Sequence, residues 1–523
     1  MVTDSAVQVW HNGNIVTLDR EAPRAAAMVV REGRIDFVGS EADAYARAGS
    51  DARRVDLGGR TVVPGFNDNH VHTVILGDHV RSPDLASLDA AQIVEAIREH
   101  YPNPHPGELL IGYAWDYPAC PDPHRSILDN AFPNNPVVLP QYGGHGQWLN
   151  SAALDAIGVH RGTPDPEHGV ILRDPSGEPS GVVRELSTNS LMQRHFLQVH
   201  SARGQREERL ATALDHFRRL GLTSVQDNTW YVPTVFSLRR LHDTGGLSAR
   251  FTCWAHGGIP STIPFMDLPS YDEEWVRRGP WKYFLDGTFT TETAWLWEEY
   301  ADDHGNTGKG MKVTEIAGIL SALARKGVQG AFHAIGDRAI SEFLDAYEHV
   351  LEQFPDLARL RMRLEHAQLI RRADISRLAE LGVIVSAQPS ALGTPEKDAR
   401  LLGDERARNA YPYRSLLDAG VKLSFGSDIP GEATCDPLLA IHRVVNRDSP
   451  ERITVEDALR CYTEGSAYAE FMEEQKGSLR EGQLADFVVL SEDITSIQTE
   501  RIKDTQIDLT VVGGRTVYDR NAY

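Results

Sequence analysis

The stretch Arg206-Glu-Glu-Arg-Leu-Ala-Thr-Ala-Leu-Asp-His-Phe-Arg-Arg-Leu220 runs directly into Gly221-Leu-Thr-Ser-Val-Gln226, and this junction decides the fold. Leu210, Ala213, Leu214, Phe217 and Leu220 recur at the three- and four-residue spacing of an amphipathic helix. Gly221 interrupts that pattern, and Thr223–Gln226 reads as a short buried strand. Toward the C-terminus the same rhythm repeats. Strand-like runs occur at Arg250–Ala255, Trp281–Leu285, Val328–Phe332, Arg361–Leu364, Val383–Ala387 and Lys422–Phe425. Helical patterns at Thr314–Lys326, Ala339–Phe354 and Ala373–Leu381 separate several of them. Toward the N-terminus, Thr61–Pro64 supplies one more strand. Eight strand–helix units predict an α/β fold with a closed parallel (β/α)8 barrel of the TIM type. The rival, an open doubly wound sheet, lacks a GxGxxG turn opening a helix after its first strand.

Both chain ends differ from this middle. Short β-rich runs fill the first sixty residues, with turn signals at Glu32-Gly33 and Gly58-Gly59. The last forty-five residues look alike, with a turn at Gly513-Gly514. Residues 1–60 and 478–523 are therefore expected to form one small β-sandwich, and residues 61–75 and 221–477 the barrel. Residues 76–220, rich in Pro and Gly, read as an insertion after the first barrel strand that shapes the substrate pocket and its lid.

Composition narrows the partners. Lys plus Arg number 53 against 74 Asp plus Glu, a formal charge of −21, which disfavours nucleic acid and anionic lipid. No run approaches the roughly 18–20 apolar residues of a bilayer span. The start, Met1-Val-Thr-Asp-Ser5, has no basic or apolar signal region. Cys120, Cys253, Cys435 and Cys461 are too widely spaced for CxxC chemistry, so a reducing cytoplasm is expected. The remaining oddity is 20 histidines.

In such a barrel, chemistry sits where strands end and βα loops begin. The first strand ends in Asn69-His70-Val71-His72, whose two imidazoles can face the same way and chelate one ion. Strand four carries Lys282, strand five ends at His333, strand six at His366 and strand eight runs into Asp428. Taken singly, each has a structural reading: His333 as a bonded core histidine, Lys282 as a snorkelling rim residue, Asp428 as a helix cap. Their joint placement at one end of one barrel favours a metal cluster, because burying such groups unpaired costs several kcal/mol. Trp115, Tyr117, Trp148, Phe289, Trp295 and Trp297 read either as pocket lining for a partly apolar or aromatic substrate or as core anchors.

The order of motifs resembles the amidohydrolase superfamily, in its YtcJ-like and N-substituted formamide deformylase-like branch. The resemblance spans nearly the whole chain. It rests on Pro64-Gly-Phe-Asn-Asp-Asn-His-Val-His72, Gly143-Gly-His-Gly-Gln-Trp-Leu-Asn150, Asp286-Gly-Thr288 and His333-Ala-Ile-Gly-Asp-Arg338. It continues through Arg363-Leu-Glu-His-Ala-Gln368, Gly426-Ser-Asp-Ile-Pro430 and the closing Gly477–Leu490.

The resemblance implies that His70, His72 and Asp428 hold one metal ion and His333 and His366 a second. It implies that a carboxylated Lys282 bridges them; an unmodified Lys282 would leave one ion. Zinc is the implied metal, with other divalent ions open. The implied reaction is hydrolysis of an amide, N-formyl or related C–N bond by hydroxide generated at the metal. Asp428 would act as base and then acid, and His145 would contact the substrate carbonyl. The scaffold also serves ester, lactone or carbamate hydrolysis, decarboxylation and isomerisation; a non-catalytic scaffold conflicts with the filled ligand positions. A homodimer is the implied assembly. Two departures stand out. Thr290-Thr-Glu292-Thr293 replaces a Gly-Ser-Arg-Thr stretch, which places a carboxylate, Glu292, near the expected mouth. Asn67 and Asn69 flank the HxH pair, and Asn69 is expected to tune His70 or to have drifted neutrally. The candidate substrate contacts are thus His145, Trp115, Phe289, Glu292 and Trp295.

Overall fold

Residues Leu222–Asp227 form a strand buried along its whole length, and it sits inside an eight-stranded parallel sheet. The computed structural model describes residues 7–522, apart from 118, 167–168, 186–194, 196–197, 200, 230, 258–271, 310–311 and 393–394. In chain order the eight strands are Phe66–Val71, Leu222–Asp227, Arg250–His256, Val276–Phe284, Gly330–Ala334, Arg363–His366, Ile384–Ala387 and Leu423–Phe425. Each pairs in parallel with the next. Closure comes at the last strand, where the Asp428 N–H donates to the His70 carbonyl (2.7 Å) and the His72 N–H to the Ile429 carbonyl (2.9 Å). Gly426 permits this approach: a Cβ there would lie 2.3 Å from Asn69 Oδ1.

The helices wrap the sheet with one apolar face each. Asp337–Gln353 buries Ala339, Ile340, Phe343, Leu344, Tyr347 and Val350, the spacing of a single helical stripe. Arg203–Arg219 buries Leu210, Ala213, Leu214 and Phe217, as its sequence pattern requires.

One strand differs from expectation. Thr61–Pro64 does not open the barrel. It pairs antiparallel with Phe487–Leu490 and parallel with Asn14–Val16, inside a six-stranded sheet built from both chain ends. The barrel begins at Phe66, one residue later. Gly65 makes the hinge, because a Cβ there would fall 2.1 Å from Thr223 Oγ1. Both strands are buried along their whole length, although Phe66–Val71 is mostly polar, and one glycine separates them, so pattern alone cannot tell which sheet each joins. A second, four-stranded sheet from the first sixty residues faces the six-stranded one. Trp10, Met28, Val30, Val62, Phe487 and Val511 share one core between them.

The segment after the first barrel strand carries a sheet of its own, five strands ordered Val170–Arg173, Pro179–Arg184, Gly146–Leu149, Val137–Pro140 and Leu110–Ile111. Trp115, Trp148, Leu139 and Val182 fill its core. Among the described residues, no helix is long and apolar enough to cross a membrane.

Candidate functional site

His70 is the centre of the site. It closes the first barrel strand and is wholly buried. Its Nδ1 lies 2.8 Å from Glu365 Oε2, so Nδ1–H donates and Nε2 is left with a lone pair. That Nε2 faces Asp428 Oδ1 at 3.3 Å and Lys282 Nζ at 3.5 Å. His72, at the N-terminus of the next helix, brings its Nε2 to 3.2 Å from the same Asp428 oxygen. His70, His72 and Asp428 each offer a ligand atom, and the three atoms lie within 4.8 Å of one another. Burial, and then the Lys282 charge, push His70 far below the usual imidazole range, so the ring is neutral. A neutral imidazole lone pair directed at a carboxylate is repulsive unless a cation sits between them. The donor set therefore fits a metal ion.

His333 and His366 stand beside this group, with ring centroids 4.4 Å apart; the His366 centroid is 5.3 Å from that of His70. His333 Nε2–H donates to the Gly287 carbonyl at 3.0 Å, leaving Nδ1. His366 Nδ1–H donates to Gln388 Oε1 at 2.7 Å, leaving Nε2. Each ring thus has one nitrogen fixed and one left for a ligand bond. Lys282 is buried below them, and burial lowers its ammonium to about 8. Asp428 (φ 57) and His366 (φ 74) both hold left-handed backbone, a strain of about 1–3 kcal/mol each for non-glycine residues. That strain aims their side chains across the barrel mouth.

His145 reaches the site from the insertion. Its Nδ1 is 3.1 Å from Glu185 Oε2, and the Glu185 N–H donates back to the His145 carbonyl at 2.5 Å. The ring lies 5.2 Å from that of His333. These groups open onto a cavity of about 350 Å3. Its wall combines the insertion with the loops after strands four to eight, and Asp428, His145, His333, His366 and Phe289 all line it.

Three expected contacts stand elsewhere. Trp115 is fully buried in the core of the insertion, its Nε1–H donating to the Leu139 carbonyl at 2.7 Å. Trp295 lies behind the wall, with its N–H on Asp286 Oδ2 (2.9 Å) and the Arg338 guanidinium over its ring. Glu292 faces Arg184 of the insertion at 3.8 Å, outside the cavity lining, so its charge is met rather than presented at the mouth. In each case a local partner or an apolar core claims the side chain. Asn69 does not touch the His70 ring either. Its side-chain amide donates to Ser424 (2.5 Å) and its backbone carbonyl accepts from Arg363 (3.0 Å), while Asn67 donates to Glu470 (2.7 Å).

Sequence reasoning missed the residues that hold His70 and His145 in place. Arg363 and Glu365, both fully buried, form an ion pair at 2.9 Å inside the barrel. Ser386 also donates to Glu365 Oε2 at 2.6 Å. The signal was present: two opposite charges at i and i+2 in a strand whose every residue is buried. Glu185 gave no signal, because its link to His145 spans two strands of the insertion.

A model of the amidohydrolase family matches residues 53–518. The Bacillus subtilis (strain 168) protein YtcJ is 31% identical over 98% of this chain and 99% of its own length. An N-substituted formamide deformylase from Arthrobacter pascens is 31% identical over 97% of this chain and 98% of its own. The crystal structure of an uncharacterized metal-dependent hydrolase from Pyrococcus furiosus superposes with a TM-score of 0.75 at 27% identity, covering 94% of this chain and all of that one. The chain belongs to the amidohydrolase family and is a metal-dependent hydrolase of that family.

Proposed function

We propose that this hydrolase cleaves an amide, N-formyl or related C–N bond of a small, partly apolar substrate. The observation that carries this reading is the convergence of His70, His72 and Asp428 beside a cavity that Asp428 and His145 line. The similarity to a formamide deformylase supports it. Zinc is the metal we favour, since imidazole and carboxylate donors suit it. When bound, it supplies an acidified water and polarises the scissile carbonyl. Asp428 takes the water's proton and returns it to the departing nitrogen. His145, fixed through Nδ1 by Glu185, offers Nε2 to the carbonyl oxygen. The products are a carboxylic acid and an amine.

Turnover against N-formyl amines, N-acyl amines, cyclic amides, carbamates and esters, with metal content measured in parallel, tests the reading. We expect C–N cleavage of N-formyl or N-acyl amines to be fastest. Cleavage confined to esters or lactones would refute it.

Lys282 is proposed to carry a carboxyl group that bridges two ions. A bare ammonium has no lone pair to give a metal. Its Nζ lies 3.5 Å from His70 Nε2, beside both histidine pairs. Lys282→Ala is then expected to hold one ion instead of two and to lose most activity, with partial recovery in acetate or propionate. Retention of two ions by that variant, read by elemental analysis, would exclude the bridge.

A further inference from the structure

The cavity wall carries one carboxylate, Asp398, that has no hydrogen bond or close ion pair among the described residues and feels the charges of Lys397 and Arg447 only at longer range. Asp398 lies in the helix Pro395–Asn409, after the seventh barrel strand, and lines the cavity. The hydrogen bonds and ion pairs of the described residues include none to its carboxylate. The other charged groups of the wall differ. Lys397 meets Asp116 at 3.2 Å and leans over the Tyr142 ring, with its nitrogen 5.5 Å from the centroid. Glu432 accepts the Tyr142 hydroxyl. Asp428 is committed to His70 and His72. Among the cavity-lining residues Lys397 is the one Lys or Arg, and it already has an anionic partner.

A half-buried carboxylate without a close partner, set beside apolar surface, gains from a complementary donor on a ligand. Burial lifts Asp398 to about 6, which leaves it ionised at neutral pH. Phe289, Leu392, Leu401 and Tyr411 supply flat and apolar wall in the same cavity. A volume of about 350 Å3 is at the small end for a ligand site, enough for one ring with short substituents.

We propose that Asp398 reads a protonated nitrogen on the substrate, so that the favoured substrates are acyl or formyl amines whose amine portion carries a second basic group. The inference rests on the C–N hydrolase reading given above. It also predicts exclusion of amines bearing a carboxylate, which would meet Asp398 and Asp116 while Lys397 is held by Asp116 and Arg447 stands outside the cavity lining.

The test uses three matched compounds, N-formylbenzylamine and its para-aminomethyl and para-carboxylate forms, together with benzyl alcohol and its para-aminomethyl and para-carboxylate forms, in which the formamide nitrogen is replaced by a neutral hydroxyl. Hydrolysis is followed with the metal-loaded enzyme, and binding of the alcohols is measured by calorimetry. The aminomethyl compound is expected to exceed the neutral one by about tenfold in kcat/KM, and the carboxylate to fall below it by a similar factor. The alcohols should follow the same order in affinity. Asp398→Asn should compress that order, and Asp398→Lys should reverse it. Equal kcat/KM and equal Kd across the series would overturn the Asp398 assignment while leaving the hydrolase reading intact. Absence of hydrolysis with the binding order preserved would overturn the hydrolase reading and uphold the recognition of a basic nitrogen. An order unchanged in Asp398→Lys would also overturn the assignment, whatever the wild-type preference.

Discussion

Asp428→Asn is expected to lower kcat by about 10²–10⁴-fold, the range for loss of a general acid–base group. The reason is geometric. One carboxylate oxygen faces both His70 Nε2 (3.3 Å) and His72 Nε2 (3.2 Å), while the other lies on the side of His366, 4.0 Å from its Nδ1. The residue thus combines a ligand position with a second oxygen at the cavity. Asparagine keeps the shape and one oxygen, so the two histidines can still retain an ion, but it cannot take a proton. Turnover should be compared at saturating zinc, with bound metal measured on the same sample. A metal-loaded variant that turns over at the wild-type rate would sink the assignment of Asp428 as base.

Glu365→Gln should produce the largest combined loss of stability and metal affinity. Glu365 accepts from three groups: Arg363 (2.9 Å), Ser386 (2.6 Å) and the Nδ1–H of His70 (2.8 Å). Arg363 is fully buried, so removing its counter-charge leaves a guanidinium in the barrel interior. Breaking a buried pair from one side costs about 3–5 kcal/mol. His70 also loses the carboxylate that fixes its tautomer, and loss of such a partner weakens metal binding by about 10–100-fold. Chemical denaturation of the metal-free protein reads the first effect, and metal titration reads the second. Unchanged metal affinity would show that His70 needs no help from Glu365.

The barrel was legible because its strands and helices differ in period. The nearness of His70, His72 and Asp428, and of His333 and His366 beside them, was legible because these residues stand at strand ends. What stayed hidden depends on side chains that meet across long stretches of chain. The Glu185–His145 contact joins two insertion strands. The Trp115 ring, expected among the substrate contacts, is an aromatic that serves pocket or core alike. It went to the core because the insertion has a sheet of its own to cover, and a Pro- and Gly-rich segment gave no period from which to read that sheet. Thr61–Pro64 was misplaced for a related reason: two buried strands separated by one glycine look like one.

That glycine hinge has a consequence for how the chain acquires its shape. The strand before it, Thr61–Pro64, pairs with Phe487–Leu490, which is synthesised long after it, once the barrel strands between them have been made. During elongation one edge of Thr61–Pro64 waits without its neighbour while the barrel strands emerge one by one. Contacts so distant in sequence form late, because a long loop must close before they contribute. The terminal sheets therefore act as a latch that sets last. Until it does, the apolar face of Val62 has no Val489 to cover it and is the surface most in need of protection from other nascent chains.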